Sequence, residues 1–326
     1  MKVAIFSTQS YDRESFNRVN ADFGHDLLFL EPALNAATAI LADGCNAVCV
    51  FVNDVADAET LKALRHLGIS TLVLRCAGFN QVDLQAAKDL HISVFRVSSY
   101  SPEAVAEHAV AMIMTLNRKT HKAYNRIREG NFSLERLTGF NLHGKKVGLI
   151  GLGQIGLAFA KIMQGFGTAV FAYDPMPKDV PSYIQLQDYD TLISTADVIS
   201  IHCPLNEHTK HMVNHQSFDK MKDGVMLINT SRGAILDSND AIEALKRGKL
   251  GYLGIDVYEQ EDKLFFRDLS ESLIADEQIL RLMSFPNVLI TAHQGFFTTE
   301  ALTEIAETTL QNLTDAEKGS LNQNQL

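Results

Sequence analysis

Gly151-Leu152-Gly153-Gln154-Ile155-Gly156 has the G-x-G-x-x-G spacing, in which glycines permit a tight turn and close approach of a pyrophosphate whose charge the first amides of the next helix face. Glycine is common, so the surroundings carry the weight. The motif follows an apolar run ending at Ile150, opens an apolar-periodic stretch through Ile155, Ala158, Phe159 and Ile162, and leads to a second run that ends at Asp174. An acid there accepts hydrogen bonds from an adenosine ribose and repels a 2′-phosphate, and no arginine follows it in Pro175-Met176-Pro177. NAD is therefore expected over NADP. Three further runs end in polar clusters: Asn229-Thr230-Ser231-Arg232-Gly233, Asp256-Val257-Tyr258-Glu259-Gln260-Glu261, and Thr291-Ala292-His293-Gln294-Gly295. An arginine, a carboxylate and a histidine at neighbouring strand ends can supply an anion clamp, a partner for the histidine, and a general acid or base. Glu259 and Glu261 compete for the partner's role.

Such clusters need strands that deliver them to one side of a sheet. Residues 3–6, 47–52, 71–76 and 93–97 read as buried strands, with helical spacing at 57–67 and 82–90 between them. Strand and helix in alternation imply a parallel sheet covered on both faces. At Ser101-Pro102-Glu103 a capping hydroxyl, a proline and an acid start a helix running to about Arg118, long enough to bridge two domains. After an irregular stretch, 131–144, the alternation resumes with strands at 170–173, 198–201, 225–228, 253–257 and 288–291. A last helix is expected over 299–313, and the polar tail 322–326 is expected to fray.

The length of 326 residues is about twice the roughly 150-residue prior for one domain, which suits two sheets. With 46% hydrophobic and 21% charged residues the composition is that of an ordinary globular protein. The formal net charge of -10 disfavours nucleic acid and anionic membrane surfaces as partners. No export signal is expected from the first residues, and the apolar runs fall short of the roughly 18 residues of a spanning helix. Cys45, Cys49, Cys76 and Cys203 show no paired spacing, which points to a reducing, cytoplasmic setting without disulfides or a zinc site.

Taken together with Arg75-Cys76-Ala77-Gly78-Phe79-Asn80, Tyr100-Ser101-Pro102-Glu103-Ala104-Val105-Ala106-Glu107-His108 and His202-Cys203-Pro204-Leu205, these motifs cover nearly the whole chain. The sequence resembles the D-2-hydroxyacid dehydrogenases, in particular their fermentative branch. The resemblance implies an α/β fold with two doubly wound parallel-sheet domains. One is a discontinuous, flavodoxin-like substrate domain, 1–100 and 298–326; the other is an inserted Rossmann NAD-binding domain, 101–297. It further implies that Arg232 orients the substrate carboxylate and carbonyl, that Glu261 pairs with the catalytic histidine, and that His293 gives or takes the proton. Only Glu261 fits the family spacing from Asp256, which prefers it over Glu259. Besides Gly151, Gly153 and Gly156, cofactor contacts fall by resemblance on Gln154, Ile155, Asp174, Cys203, Pro204, Thr209, Thr230, Ser231, Arg232 and Asp256. The substrate pocket falls on the backbone of Ala77, Gly78 and Phe79, with Tyr100 and Phe296. The substrate implied is a small 2-oxoacid or 2-hydroxyacid, pyruvate and D-lactate, handled by a homo-oligomer, dimer or tetramer.

Two departures from the family pattern stand out: Gly295 where alanine is expected, and Gln154 at a position that is often basic. Among the other histidines, His208, His211 and His215 lie in a polar stretch that reads as solvated surface rather than metal site, and His202 and His108 read as structural. Two other functions compete: a dehydrogenase for a larger 2-oxoacid, and a non-catalytic NADH-sensing interaction protein.

Overall fold

The computed structural model describes residues 1–320 and 322–326. The chain divides into two compact units, Met1–Ser101 with Phe297–Leu326, and Pro102–Phe296. In the first, β1 (Lys2–Ile5), α1 (Ser10–Asn20), β2 (Asp26–Phe29), β3 (Ala47–Val50), α2 (Ala58–His66), β4 (Thr71–Leu74), α3 (Leu84–Asp89) and β5 (Ser93–Arg96) follow in turn. The second starts with α4 (Pro102–Arg118) and α5 (Thr120–Arg128), then β6 (Lys146–Ile150), α6 (Gln154–Gly165), β7 (Ala169–Tyr173), β8 (Ile184–Leu186), α7 (Tyr189–Thr195) and β9 (Val198–Ile201). It continues through α8 (His215–Lys220), β10 (Val225–Asn229), α9 (Ser238–Lys246), β11 (Leu250–Ile255), α10 (Glu277–Ser284) and β12 (Val288–Ile290). The closing helix, α11 (Thr299–Lys318), belongs to the first unit.

Both sheets are parallel throughout. The first has the order β2-β1-β3-β4-β5, as in flavodoxin-like folds; the second, β12-β11-β10-β9-β6-β7-β8, is a Rossmann order extended by one strand. Strands β3, β4, β9 and β10 are buried at every position, which is why they read as largely apolar runs rather than alternations. Acids at helix starts fix the turns between layers: Asp57 accepts from the Thr60 N–H and Asp83 from the Ala86 N–H. In α11, Ala306, Leu310 and Leu313 recur at helical spacing and bury against Val3, Ile5, Cys49 and Val73.

Two expectations need correction, and three elements are absent from the sequence reading. The helix α4, expected to bridge two domains, lies wholly in the second unit, where Ala109, Val110, Ile113 and Leu116 are buried with Leu149, Phe159 and Ile228. The polar tail does not fray. Arg96 N–H donates to Asn324 O at 2.9 Å and Leu326 N–H to Val94 O at 2.9 Å, so the tail satisfies the otherwise unpaired edge of β5. Finally, β2, α1 and β8 carry too few apolar residues to stand out in the sequence. β2 is an edge strand with no fully buried position, and the buried apolar residues of α1 are Phe16 and Val19 alone.

Candidate active site

In the second sheet the order of strands reverses between β6 and β9, and the crevice outside the strand ends at such a point is where doubly wound sheets take ligands. The glycine motif leaves β6 there. Gly151 has φ +103°, and a Cβ on it would stand 2.7 Å from Cys203 N; on Gly156 a Cβ would stand 2.3 Å from Gly151 O. Packing therefore demands these two glycines. Gly153, at the N-cap of α6, is different, because a Cβ there meets nothing within 4 Å. The space in front of the helix start is open. Gln154 and Ile155 begin that helix, the first exposed and the second half-buried.

Asp174 follows β7 and is fixed by the loop it faces. Its Oδ2 accepts from Leu152 N–H at 2.8 Å and its Oδ1 from Met176 N–H at 2.8 Å, and each oxygen retains a lone pair for a further donor. Across the crevice, Ser231 Oγ donates to Cys203 O at 2.5 Å, tying the ends of β9 and β10 together. Thr209 Oγ donates to Pro204 O at 2.7 Å and shapes the loop after β9. Thr230 is buried, and its hydroxyl has no hydrogen-bond partner among the described residues. Open space at Gly153, an anchored carboxylate at Asp174 and this unsatisfied hydroxyl fit a bound dinucleotide. Burial pushes the Cys203 thiol up to about 11, so it packs as a neutral side chain. Burial also lowers His202 to about 3; its ring pairs with Ser200 Oγ at 2.9 Å and is too reluctant to take a proton to act as a base.

The polar clusters follow β10, β11 and β12, which are neighbours in the sheet. At the end of β10, the buried Asn229 accepts from Ser231 N–H at 3.1 Å and donates to Arg232 O at 2.9 Å, folding a tight turn. A Cβ on Gly233 would stand 2.1 Å from Tyr258 C, so only glycine lets this turn lie against the chain leaving β11. One guanidinium nitrogen of the half-buried Arg232 donates to Ser231 O at 2.7 Å. Its remaining N–H groups have no protein partner among the described residues.

The two glutamates after β11 have different neighbours. Glu261 Oε1 lies 2.7 Å from His293 Nδ1, and its Oε2 accepts from Tyr258 N–H at 2.9 Å. Glu259 lies 3.0 Å from His211 Nε2 instead. With Nδ1 against a carboxylate, His293 Nε2 is left without a partner among the described residues. The histidine sits in the left-handed region, φ +52°, and Asp256 beneath it stabilises that turn. Asp256 O accepts from His293 N–H at 2.7 Å, Oδ1 from Gln294 N–H at 2.9 Å and Thr291 Oγ at 2.5 Å, and Oδ2 from Gly295 N–H at 2.8 Å. Burial raises the Asp256 carboxyl, but hydrogen bonds from His108, Thr291 and Gln294 outweigh it and hold the group below the usual carboxylate range. At Gly295 a Cβ would come within 3.0 Å of Asp256 Oδ2. Glycine in place of the expected alanine therefore lets the carboxylate sit directly under the turn.

The residues singled out from the sequence in the second unit thus gather at one end of its sheet, and Phe296 is buried at that unit's last position. Ala77, Gly78, Phe79 and Tyr100 belong to the first unit, half-buried in the segments that follow β4 and β5. Sequence reasoning did not single out Asn229 or Gly233 individually, and read His108 only as structural. Their positions at a strand end and beside an arginine were the available signals.

The family described as D-isomer specific 2-hydroxyacid dehydrogenase, NAD binding domain, matches residues 110–295. The chain is 51% identical to D-lactate dehydrogenase of Escherichia coli K12 over 328 residues, covering all of both proteins. The solved Salmonella D-lactate dehydrogenase superposes with a TM-score of 0.88 at 52% identity, covering 100% of each chain. D-lactate dehydrogenase from Lactobacillus jensenii, solved with NAD+, superposes with a TM-score of 0.83 at 31% identity, covering 100% of this chain and 99% of that one. Among the described residues no helix is long and apolar enough to cross a membrane. With its glycine turn at the switch point, its family match and its full-length relatives, the chain belongs to the D-isomer specific 2-hydroxyacid dehydrogenases and is an NAD-dependent enzyme of that family.

Proposed function

We propose that this enzyme reduces pyruvate to D-lactate. The observation that carries the chemistry is the 2.7 Å pair between Glu261 and His293 Nδ1, which leaves Nε2 to face a reacting oxygen. Arg232 forks onto the substrate carboxylate and polarises the adjacent carbonyl. His293, as imidazolium, donates its Nε2 proton to the carbonyl oxygen as the C–O double bond becomes an alcohol, and Glu261 stabilises the charged ring beforehand. NADH, held at the glycine turn and Asp174, would supply the hydride for C2 and thereby become NAD+. In the reverse direction neutral His293 accepts the hydroxyl proton.

The first unit is assigned as the substrate domain, with the Ala77–Phe79 backbone and Tyr100 receiving the small acid. Identity near 50% to proteins named D-lactate dehydrogenase supports pyruvate over a larger 2-oxoacid. A homo-oligomer, dimer or tetramer, is supported by Ile127, Phe132 and Leu134, exposed at 54%, 74% and 81%. A cytoplasmic setting is supported by the four free thiols. The test is absorbance at about 340 nm with NADH and a panel of 2-oxoacids of increasing chain length, with the chirality of each product determined. The expected outcome is the highest kcat/KM for pyruvate and a D product. Tight NADH binding without turnover of any 2-oxoacid would instead favour the NADH-sensing protein.

Asp174 decides between cofactors in this account. Asp174→Ala removes two ribose acceptors and the repulsion of a 2′-phosphate, so the kcat/KM ratio of NADH to NADPH should fall by about tenfold or more. An unchanged ratio would assign the discrimination elsewhere.

A further inference from the structure

We propose that Arg96, clamped by the C-terminal tail, is a positioning residue that aims the Gly78 N–H at the substrate carboxylate. The inference rests on the reading of Ala77–Phe79 as the substrate loop, and every residue in it lies within the first unit. Arg96 Nη1 donates to Ala77 O at 2.9 Å, and its guanidinium lies 5.1 Å from the centre of the Phe79 ring. A trans peptide is planar, with its C=O and N–H pointing in opposite directions. Holding the Ala77 carbonyl toward Arg96 therefore turns the Gly78 N–H away from it. The next carbonyl is held too, since Cys76 Sγ approaches Gly78 O at 3.3 Å. Gly78 and Phe79 N–H donate to no acceptor among the described residues. Two successive free amides of fixed direction form a concavity suited to an anion, and the arginine charge behind the first peptide strengthens its dipole.

Arg96 is itself held from two sides. Its N–H donates to Asn324 O at 2.9 Å, and its own carbonyl accepts from Asn312 Nδ2 at 2.9 Å. Asn324 Nδ2 and Asn322 Nδ2 then donate to Asn312 Oδ1 at 3.1 and 3.0 Å, closing the clamp between tail and α11. The asparagine-rich tail, unremarkable as sequence, lies along the edge of β5 and fixes the residue behind the loop.

The experiment compares wild type with Arg96→Ala, Arg96→Lys, a chain lacking residues 322–326, and Gly78→Pro, which deletes the N–H in question. Each is read for pyruvate KM, kcat, NADH affinity by fluorescence, and thermal midpoint. Arg96→Ala should raise pyruvate KM by about tenfold, with kcat within about threefold and NADH affinity unchanged. Arg96→Lys, which keeps one donor and the charge, should recover part of the loss, and the truncation should move KM in the same direction by less. If Arg96→Ala does not fold, Arg96→Gln takes its place under the same criteria. A KM rise in Gly78→Pro without one in the Arg96 variants overturns the role of Arg96 while leaving the loop reading intact. No KM change in a folded Gly78→Pro overturns the loop reading itself. Joint losses of NADH affinity, kcat and thermal midpoint, without rescue by lysine, would reduce Arg96 to a structural residue.

Discussion

His293→Asn should lower kcat/KM for pyruvate reduction by about a thousandfold, within the range that a positioned general acid contributes, while NADH still binds. Asparagine is chosen because it tolerates the left-handed backbone that His293 adopts at φ +52°, so the loss reports the missing proton donor rather than a broken turn. The turn is held by three backbone contacts that the variant leaves in place: the Asp256 carbonyl on the residue's own N–H, and the Asp256 carboxylate on the amides of Gln294 and Gly295. Rates within about tenfold of wild type would mean that another group supplies the proton.

The second large effect is expected at Arg232. Arg232→Lys keeps the charge but loses the planar fork, and one arginine nitrogen is already engaged with Ser231 O. Lysine cannot hold that carbonyl and grip a carboxylate with two parallel donors at once. A loss of at least about tenfold in kcat/KM, or roughly 1.4 kcal/mol, should result, with KM and kcat both affected because the clamp also polarises the carbonyl. Near-parental kinetics would place the carboxylate on a different cation.

What the sequence made legible follows from what each residue is asked to do. Strands buried on both faces announce themselves as apolar runs, so β3, β4, β9 and β10 are easy to see, whereas β2 and β8 are edge strands with mixed composition. The glycine motif was legible because its strand, helix and acid come in a fixed order along the chain. Long-range partnerships were less accessible. Choosing between Glu259 and Glu261 by pattern needed a family spacing; the fold separates them by giving His211 to one and His293 to the other. The link from Asp256 to the turn at His293 spans two strands, and local propensity carries no trace of it. The tail illustrates the same limit. Asparagine and glutamine suggest disorder when read alone, yet at the edge of β5 the Asn324 carbonyl accepts from Arg96 N–H, and the Asn322 and Asn324 side chains donate to Asn312.

The central claim is that His293 carries the proton, charged in one direction and neutral in the other. Its most direct test is kcat/KM as a function of pH for both directions in the wild-type enzyme. Pyruvate reduction requires imidazolium, so its rate should fall as pH rises; lactate oxidation requires the neutral ring and should rise over the same interval. Opposite limbs sharing one midpoint would match the account, and limbs that run in the same direction, or a flat profile for either reaction, would contradict it.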